Sequence, residues 1–149
     1  MTGQILFKRN LPNAKIPHRG SDEAAGFDLH AASIEIDEAR NCLIIDTGLS
    51  TAFEPGYGLF LFARSGLASK HGLRLVNGVG VIDADYRGPL KVMLTSSLMS
   101  AAQITTLIYI GDRICQAVLL PVPLTTWVEV NELPDSLRGH GGFGSTGTR

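Results

Sequence analysis

A chain of 149 residues is the size of one ordinary domain, and 44% hydrophobic against 18% charged residues provides for a packed core rather than global disorder. The formal net charge of −1 leaves no basic excess of the kind that duplex nucleic acid or an anionic membrane surface demands. Direct nucleic-acid binding and membrane association are therefore not expected. A free nucleotide needs only a few placed cations and stays open.

In chain order, the first twenty residues carry Lys8, Arg9, Lys15 and Arg19 among polar groups and proline, without the apolar stretch of a secretion signal. The expected compartment is intracellular: cytoplasm, nucleus, or the host cell of a virus that encodes the chain. Short apolar and β-branched runs then follow at Ile34–Ile36, Cys42–Ile45, Tyr57–Phe62, Leu90–Thr95, Ile104–Ile110, Ile114–Val118 and Trp127–Glu129. Gly, Pro, Asn and Asp punctuate them, which predicts many short strands in a sandwich or barrel-like assembly. Between the third and fourth runs, Ser65 can cap and Gly72 can stop one short helix over Gly66–His71. Leu75-Val76 and Val79–Ile82 flank Asn77-Gly78, a pair suited to the type I′ turn of a hairpin. No longer window carries a helical period. Cys42 and Cys115 form no CxxC pair and are expected as free thiols, and His18, His30, His71 and His140 fit no zinc spacing.

The end of the chain changes character. Five of the eleven residues from Gly139 to Arg149 are glycine, with Ser and Thr between them. Such a segment orders poorly by itself. It is either a frayed tail or an arm whose free N–H groups and hydroxyls close on an anion. The literal dinucleotide pattern Gly139-x-Gly141-x-x-Gly144 fails for want of a following helix. A P-loop reading of Gly142 to Thr148 fails for want of its lysine, and Arg87 excludes a calcium loop starting at Asp83.

Five segments, taken together and in order, resemble the five motifs of the trimeric dUTPases, the deoxyuridine triphosphate nucleotidohydrolases. They are Ala25–Leu29 (AGFDL), Arg64–Ala68 (RSGLA), Gly80–Gly88 (GVIDADYRG), Gly111–Gln116 (GDRICQ) and Arg138–Gly147 (RGHGGFGSTG). The resemblance implies an all-β, jelly-roll-like subunit of β-clip type with one short helix and a flexible Gly-rich C-terminal arm. It divides the chain into a β-domain over residues 1–137 and an arm over 138–149. It also implies a homotrimer with shared active sites, dUTP as substrate, dUMP and pyrophosphate as products, and Mg²⁺ as cofactor.

On the residues alone, Asp83 and Asp85 are equal candidates to activate water, since either carboxylate is ionised at neutral pH. The family pattern selects Asp83. Asp28, set between Phe27 and Leu29, has the surroundings of a structural acid; the resemblance places it in the catalytic site, acting on Mg²⁺ through water while substrate phosphates hold the ion. Arg64, Ser65 and Gly66 would meet phosphate at the start of the helix, with Gln116 as an uncharged donor and Lys91 in the substrate-binding set. Asn77 and the backbone of Gly80, Val81 and Ile82 would read the uracil edge, and Tyr86 would pack under deoxyribose. In the arm, Phe143 would stack on the base while Arg138, Gly144, Ser145 and Thr146 hold the distal phosphates. The bland alternatives are a solvent-facing Gln116, a core or interface Tyr86 and an Arg64 used in an intersubunit salt bridge.

The chain departs from the family pattern at Ala63, where Pro is common, at Ser96, where Asn is frequent, and at Cys115, where Ala is usual; residues 97–110 are also less polar than a typical turn there. A dCTP deaminase of the same fold would require a glutamate base, yet Glu is absent from Arg64 to Asp112. A non-catalytic trimer that serves as a regulatory scaffold would have lost Asp83, Tyr86 or the arm, and all are retained.

Overall fold

The computed structural model describes residues 3–142. Ten strands and two short helices follow one another: β1 (Leu6–Arg9), β2 (Phe27–His30), β3 (Ser33–Asp37), β4 (Cys42–Asp46), β5 (Leu49–Ala52), β6 (Tyr57–Ala63), α1 (Ser65–His71), β7 (Leu73–Leu75), β8 (Gly80–Ile82), β9 (Lys91–Ser96), α2 (Ala101–Ile104) and β10 (Arg113–Pro121). They form two four-stranded sheets, ordered β2-β10-β6-β8 and β3-β4-β9-β7, and a two-stranded sheet β1-β5. Every pairing is antiparallel. The chain passes repeatedly from one large sheet to the other, giving the jelly-roll-like sandwich expected of it.

The strand patterns show why these segments pair. In β7, Leu73 and Leu75 are buried while Arg74 is exposed, the period-two alternation of a strand with one face in the core. Leu43 and Ile45 of β4, Leu59 and Leu61 of β6, Val92 and Leu94 of β9, and Cys115 and Ala117 of β10 meet in one core with Leu29 and Ile114. Fully burying one leucine or isoleucine contributes on the order of 1.5–3 kcal/mol, so this layer dominates the stability of the sandwich. Among the described residues, no helix is long and apolar enough to cross a membrane.

Four expectations need correction. The Asn77-Gly78 segment is not a hairpin: β7 pairs with β9 and β8 with β6, so the turn carries the chain between the two sheets. Gly78 N–H donates to the Leu75 carbonyl at 3.0 Å, and only Gly78 is left-handed (φ +73°), whereas a type I′ turn needs positive φ at Asn77 as well. Helix α1 starts at Ser65 with Arg64 in the N-cap position and no side-chain cap bond, so Ser65 is inside the helix and does not cap it; Gly72 does end it, at φ +62°. Ile104–Ile110 is not a strand. Ser100 and Gln103 form a reciprocal capping box that starts the second helix, α2, where one was expected in the whole chain. Trp127–Glu129 pairs with nothing among the described residues, and Trp127 is fully exposed.

Both cysteines are free and buried. Asn41, the one non-glycine residue with positive φ among those described, pins α2 to the sandwich. Its side chain accepts the Ala101 N–H at 2.7 Å and its carbonyl accepts the Thr95 hydroxyl at 2.9 Å.

Candidate active site

At the end of the first sheet, Asp28 on β2 lies opposite Gln116 on β10. Its side chain is 4% exposed and its two oxygens accept separate guanidinium N–H groups, Arg64 Nε at 3.2 Å and Arg113 at 3.1 Å. Arg64 adds a longer bond, 3.4 Å, to the Arg113 carbonyl. A guanidinium carries five N–H groups in a rigid fork. Two are committed here, so the Arg64 side chain is fixed in direction with donors to spare. Arg113 reaches Asp28 from a register shift in β10 between Arg113 and Cys115, the kind of irregularity that re-aims a side chain. Ser65 and Gly66, the first residues of α1, are exposed beside Arg64, and Gln116 is exposed on β10.

Beneath this cluster, His18 and His30 stack with ring centroids 5.3 Å apart, and the backbone N–H of Asp28 donates to the His18 carbonyl at 2.9 Å. His30 is 7% exposed and its Nδ1 has no partner among the described residues. Burial first, then the neighbouring Lys15, His18 and Arg113, hold its pKa below the usual imidazole range against the opposing pull of Asp28.

A second cluster surrounds β8. Gly80, Val81 and Ile82 form the strand, Asp83 follows it exposed, and Tyr86 is 43% exposed with its hydroxyl donating to the Pro89 carbonyl at 3.2 Å. Asn77 stands exposed on the crossing turn that precedes the strand. Asp83, Asp85, Phe60 and Val81 line a cleft of about 510 Å³.

Strand β6 joins the clusters and separates them. Leu59 pairs with Ile82 and Leu61 with Gly80, so Asp83 falls beside Gly58 at one end while Arg64 follows Ala63 at the other. Six strand positions at roughly 3.3 Å each put about 20 Å between them. The Asp83 and Arg64 clusters of one chain are therefore separate sites along β6.

The remaining expected residues sit apart. Lys91 lies on β9 in the other large sheet, its ammonium 3.7 Å from Asp46. Arg138 closes a local turn, its Nε donating to the Gly141 carbonyl at 2.8 Å. Phe143, Gly144, Ser145 and Thr146 lie outside the described residues. Sequence reasoning gave no role to Arg113 or His30. Arg113 lies within the fourth motif, but its ion pair spans 85 residues of chain and depends on an irregularity in β10 that no local pattern announces.

Among the described residues, no three His, Cys, Asp or Glu side chains converge to hold a metal. Each Asp28 oxygen already accepts from one guanidinium group, so the acid is charge-compensated before any cation arrives.

The chain is an antiparallel jelly-roll-like β-protein with a pair of arginines at one end of β6 and an exposed carboxylate at the other, and comparison assigns its family. The dUTPase family model matches residues 12–147, and the chain belongs to that family. It is 42% identical to the deoxyuridine 5'-triphosphate nucleotidohydrolase of Tropheryma whipplei (strain Twist) over 148 residues, 99% of this chain and 96% of the relative. The enzyme of the same name from Nautilia profundicola is 43% identical over 144 residues, 97% of this chain and 99% of the relative. Among solved structures, the Staphylococcus bacteriophage 80alpha dUTPase with dUPNHPP superposes with a TM-score of 0.81 at 26% identity, covering 99% of this chain and all of the other.

Proposed function

We propose that this chain hydrolyses dUTP to dUMP and pyrophosphate in a homotrimer, each site assembled from the Asp83 cluster of one copy and the Arg64 cluster of another. The observation that carries the reading is the division of the candidate residues into two half-sites about 20 Å apart along β6. One half has the groups for a nucleoside and an attacking water; the other has the donors for a phosphate chain. A second copy placed against the first brings complementary halves together.

In this reading Asp83 accepts a hydrogen bond from water and takes its proton as oxygen attacks the α-phosphorus, while pyrophosphate leaves in line. The Asp83 carboxylate is exposed and within reach of solvent. Arg64, fixed by Asp28, offers its remaining N–H groups to the phosphate chain, with the hydroxyl and backbone of Ser65, the backbone of Gly66 and the Gln116 amide beside it. Asp28 would help hold Mg²⁺ beside the phosphate chain through water, and the ion would supply charge neutralisation there. Asn77 and the Gly80–Ile82 backbone complement the donor and acceptor pattern of uracil. Cytosine reverses two of those positions and leaves buried polar groups unpaired. Tyr86 presents a half-exposed ring to deoxyribose. The arm from Arg138 onward closes the site, Phe143 covering the base and Arg138, Gly144, Ser145 and Thr146 the distal phosphates. Lys91 adds long-range attraction for the anion. The products supply dUMP for thymidylate synthesis and keep uracil out of DNA.

Association is supported by the segment after β10. Leu124, Trp127, Leu133 and Leu137 are between 84% and 112% exposed among the described residues of a single copy, apolar area that a second chain would cover.

The test is product analysis with dUTP, dCTP, dTTP and UTP in the presence of Mg²⁺, comparing the wild type with Asp83→Asn. Conversion of dUTP alone, reduced on the order of 10²-fold or more in the variant, is the expected outcome. A folded wild-type protein that turns over none of the four would overturn the reading.

A further inference from the structure

Helix α1 carries Ser65 and Gly66, yet little in the helix itself holds it in place. It has seven residues, no side-chain N-cap and no buried side chain, with Leu67 alone packing partly against the core. Isolated helices shorter than about 12–15 residues are marginal in water, so its position must be imposed from outside. The Arg64–Asp28 ion pair fixes the N-terminal end. The C-terminal end is held by a residue outside all five motifs.

Ser96 is the last residue of β9 and pairs with Leu73, the first residue of β7. Ser96 is buried, 6% exposed, and its hydroxyl does two things at once. It donates to the His71 carbonyl, the last residue of α1, at 3.0 Å, and it accepts the Leu98 N–H at 3.0 Å. The hydroxyl thus continues the β7-β9 pairing one step past the point where backbone pairing stops, into the helix. Leu98 completes the contact by lying over Gly72, where an added Cβ would stand only 3.1 Å from its Cδ1.

We infer that Ser96 is a positioning residue for phosphate binding: it latches the C-terminus of α1 to the β7-β9 edge and so fixes where Ser65 and Gly66 present their donors. The inference rests on the dUTP reading above. Ser96 touches no reacting group in it. Its effect passes through helix placement, where a displacement of about 1 Å can cost on the order of 10²-fold in a catalytic step. Base recognition is carried by β8 and the turn at Asn77, whose strands keep their backbone pairing when the hydroxyl is removed, so the latch acts on the phosphate end of the substrate and not on the base.

The experiment compares wild type, Ser96→Ala and Ser96→Thr for affinity to a non-hydrolysable α,β-imido analogue of dUTP and to deoxyuridine, with kcat and KM for dUTP and a thermal melt of each protein. Ser96→Ala is expected to bind the triphosphate analogue about 5- to 10-fold more weakly, the range set by one lost hydrogen bond, while deoxyuridine affinity stays within about twofold. Ser96→Thr, which keeps the hydroxyl, is expected to restore wild-type affinity. The inference is overturned if Ser96→Ala binds and hydrolyses as wild type does, if both ligands weaken in parallel, or if the threonine variant is as weak as the alanine. A wild type without dUTPase activity would instead overturn the underlying functional reading, so the two failures are distinguishable.

Discussion

Each oxygen of Asp28 faces a guanidinium, and that arrangement gives the residue a different meaning from the one its neighbours in sequence suggest. An acid between Phe27 and Leu29 reads as a satisfied structural group, and satisfied it is, but its partners are the side chain proposed to grip phosphate and a second arginine brought in by a strand irregularity. With two cations and one anion, the trio keeps a net positive charge facing the proposed phosphate site. The acid was legible as special from the five-motif resemblance; the ion pairs were not, because they link positions 36 and 85 residues apart. Cys115 is a second residue whose setting has consequences. Burial, with a smaller push from Asp28, raises its thiol pKa to about 12 from 9.0. A folded-state pKa above the unfolded one contributes stability that is full below pH 9 and is lost as pH rises toward 12, by up to about 1.4 kcal/mol per pH unit. Urea unfolding at pH 8 and pH 10.5 is expected to show a larger alkaline loss in wild type than in Cys115→Ala, the residue usual in the family at that position. Equal losses would show that the thiol does not contribute.

At the scale of elements, the sequence was most readable where burial and local propensity agree. Strands β4, β6, β9 and β10 were anticipated because apolar runs bounded by turn residues leave few alternatives. The runs that misled were equally apolar. Ile104–Ile110 begins inside α2 because the Ser100–Gln103 capping box overrides the β-branched composition, and that box was itself visible as Ser-x-x-Gln. Trp127–Glu129 has strand composition without a partner, and a strand is a property of a pair. The Asn77-Gly78 turn was placed correctly but joined to the wrong strands, since a local turn signal does not say which sheet the chain enters next. Gly72 illustrates the opposite case, in which stop signal and structure coincide: it ends α1 at φ +62° with Leu98 packed against it. Gly72→Ala meets both obstacles, the left-handed backbone and the 3.1 Å approach, and is expected to lower stability by at least about 1 kcal/mol, read as a lower denaturation midpoint at unchanged m-value. An unchanged midpoint would show that the cap has room to adapt.

For the whole molecule, the many-stranded sandwich was legible from strand count and its jelly-roll-like class from the motif resemblance, which also implied sites shared between subunits; the placing of Asp83 and Arg64 at opposite ends of β6 was not legible, because residues close in sequence lie far apart in space. The proposed assembly makes a plain demand on mass. Light scattering is expected to give about three times the chain mass of 15.9 kDa. A stable, fully active monomer would remove the reason for the division.

Strand β6 holds the two half-sites of one copy apart, and this has a genetic consequence. On the shared-site reading, Asp83→Asn and Arg64→Ala homotrimers are each inactive, for opposite reasons. Refolded or expressed together in equal amounts, they assemble at random so that about a quarter of all sites, those in mixed trimers, pair an intact Asp83 half with an intact Arg64 half. Two dead alleles would then complement each other in one cell, and the recovered dUTP turnover would show how many copies build a working site.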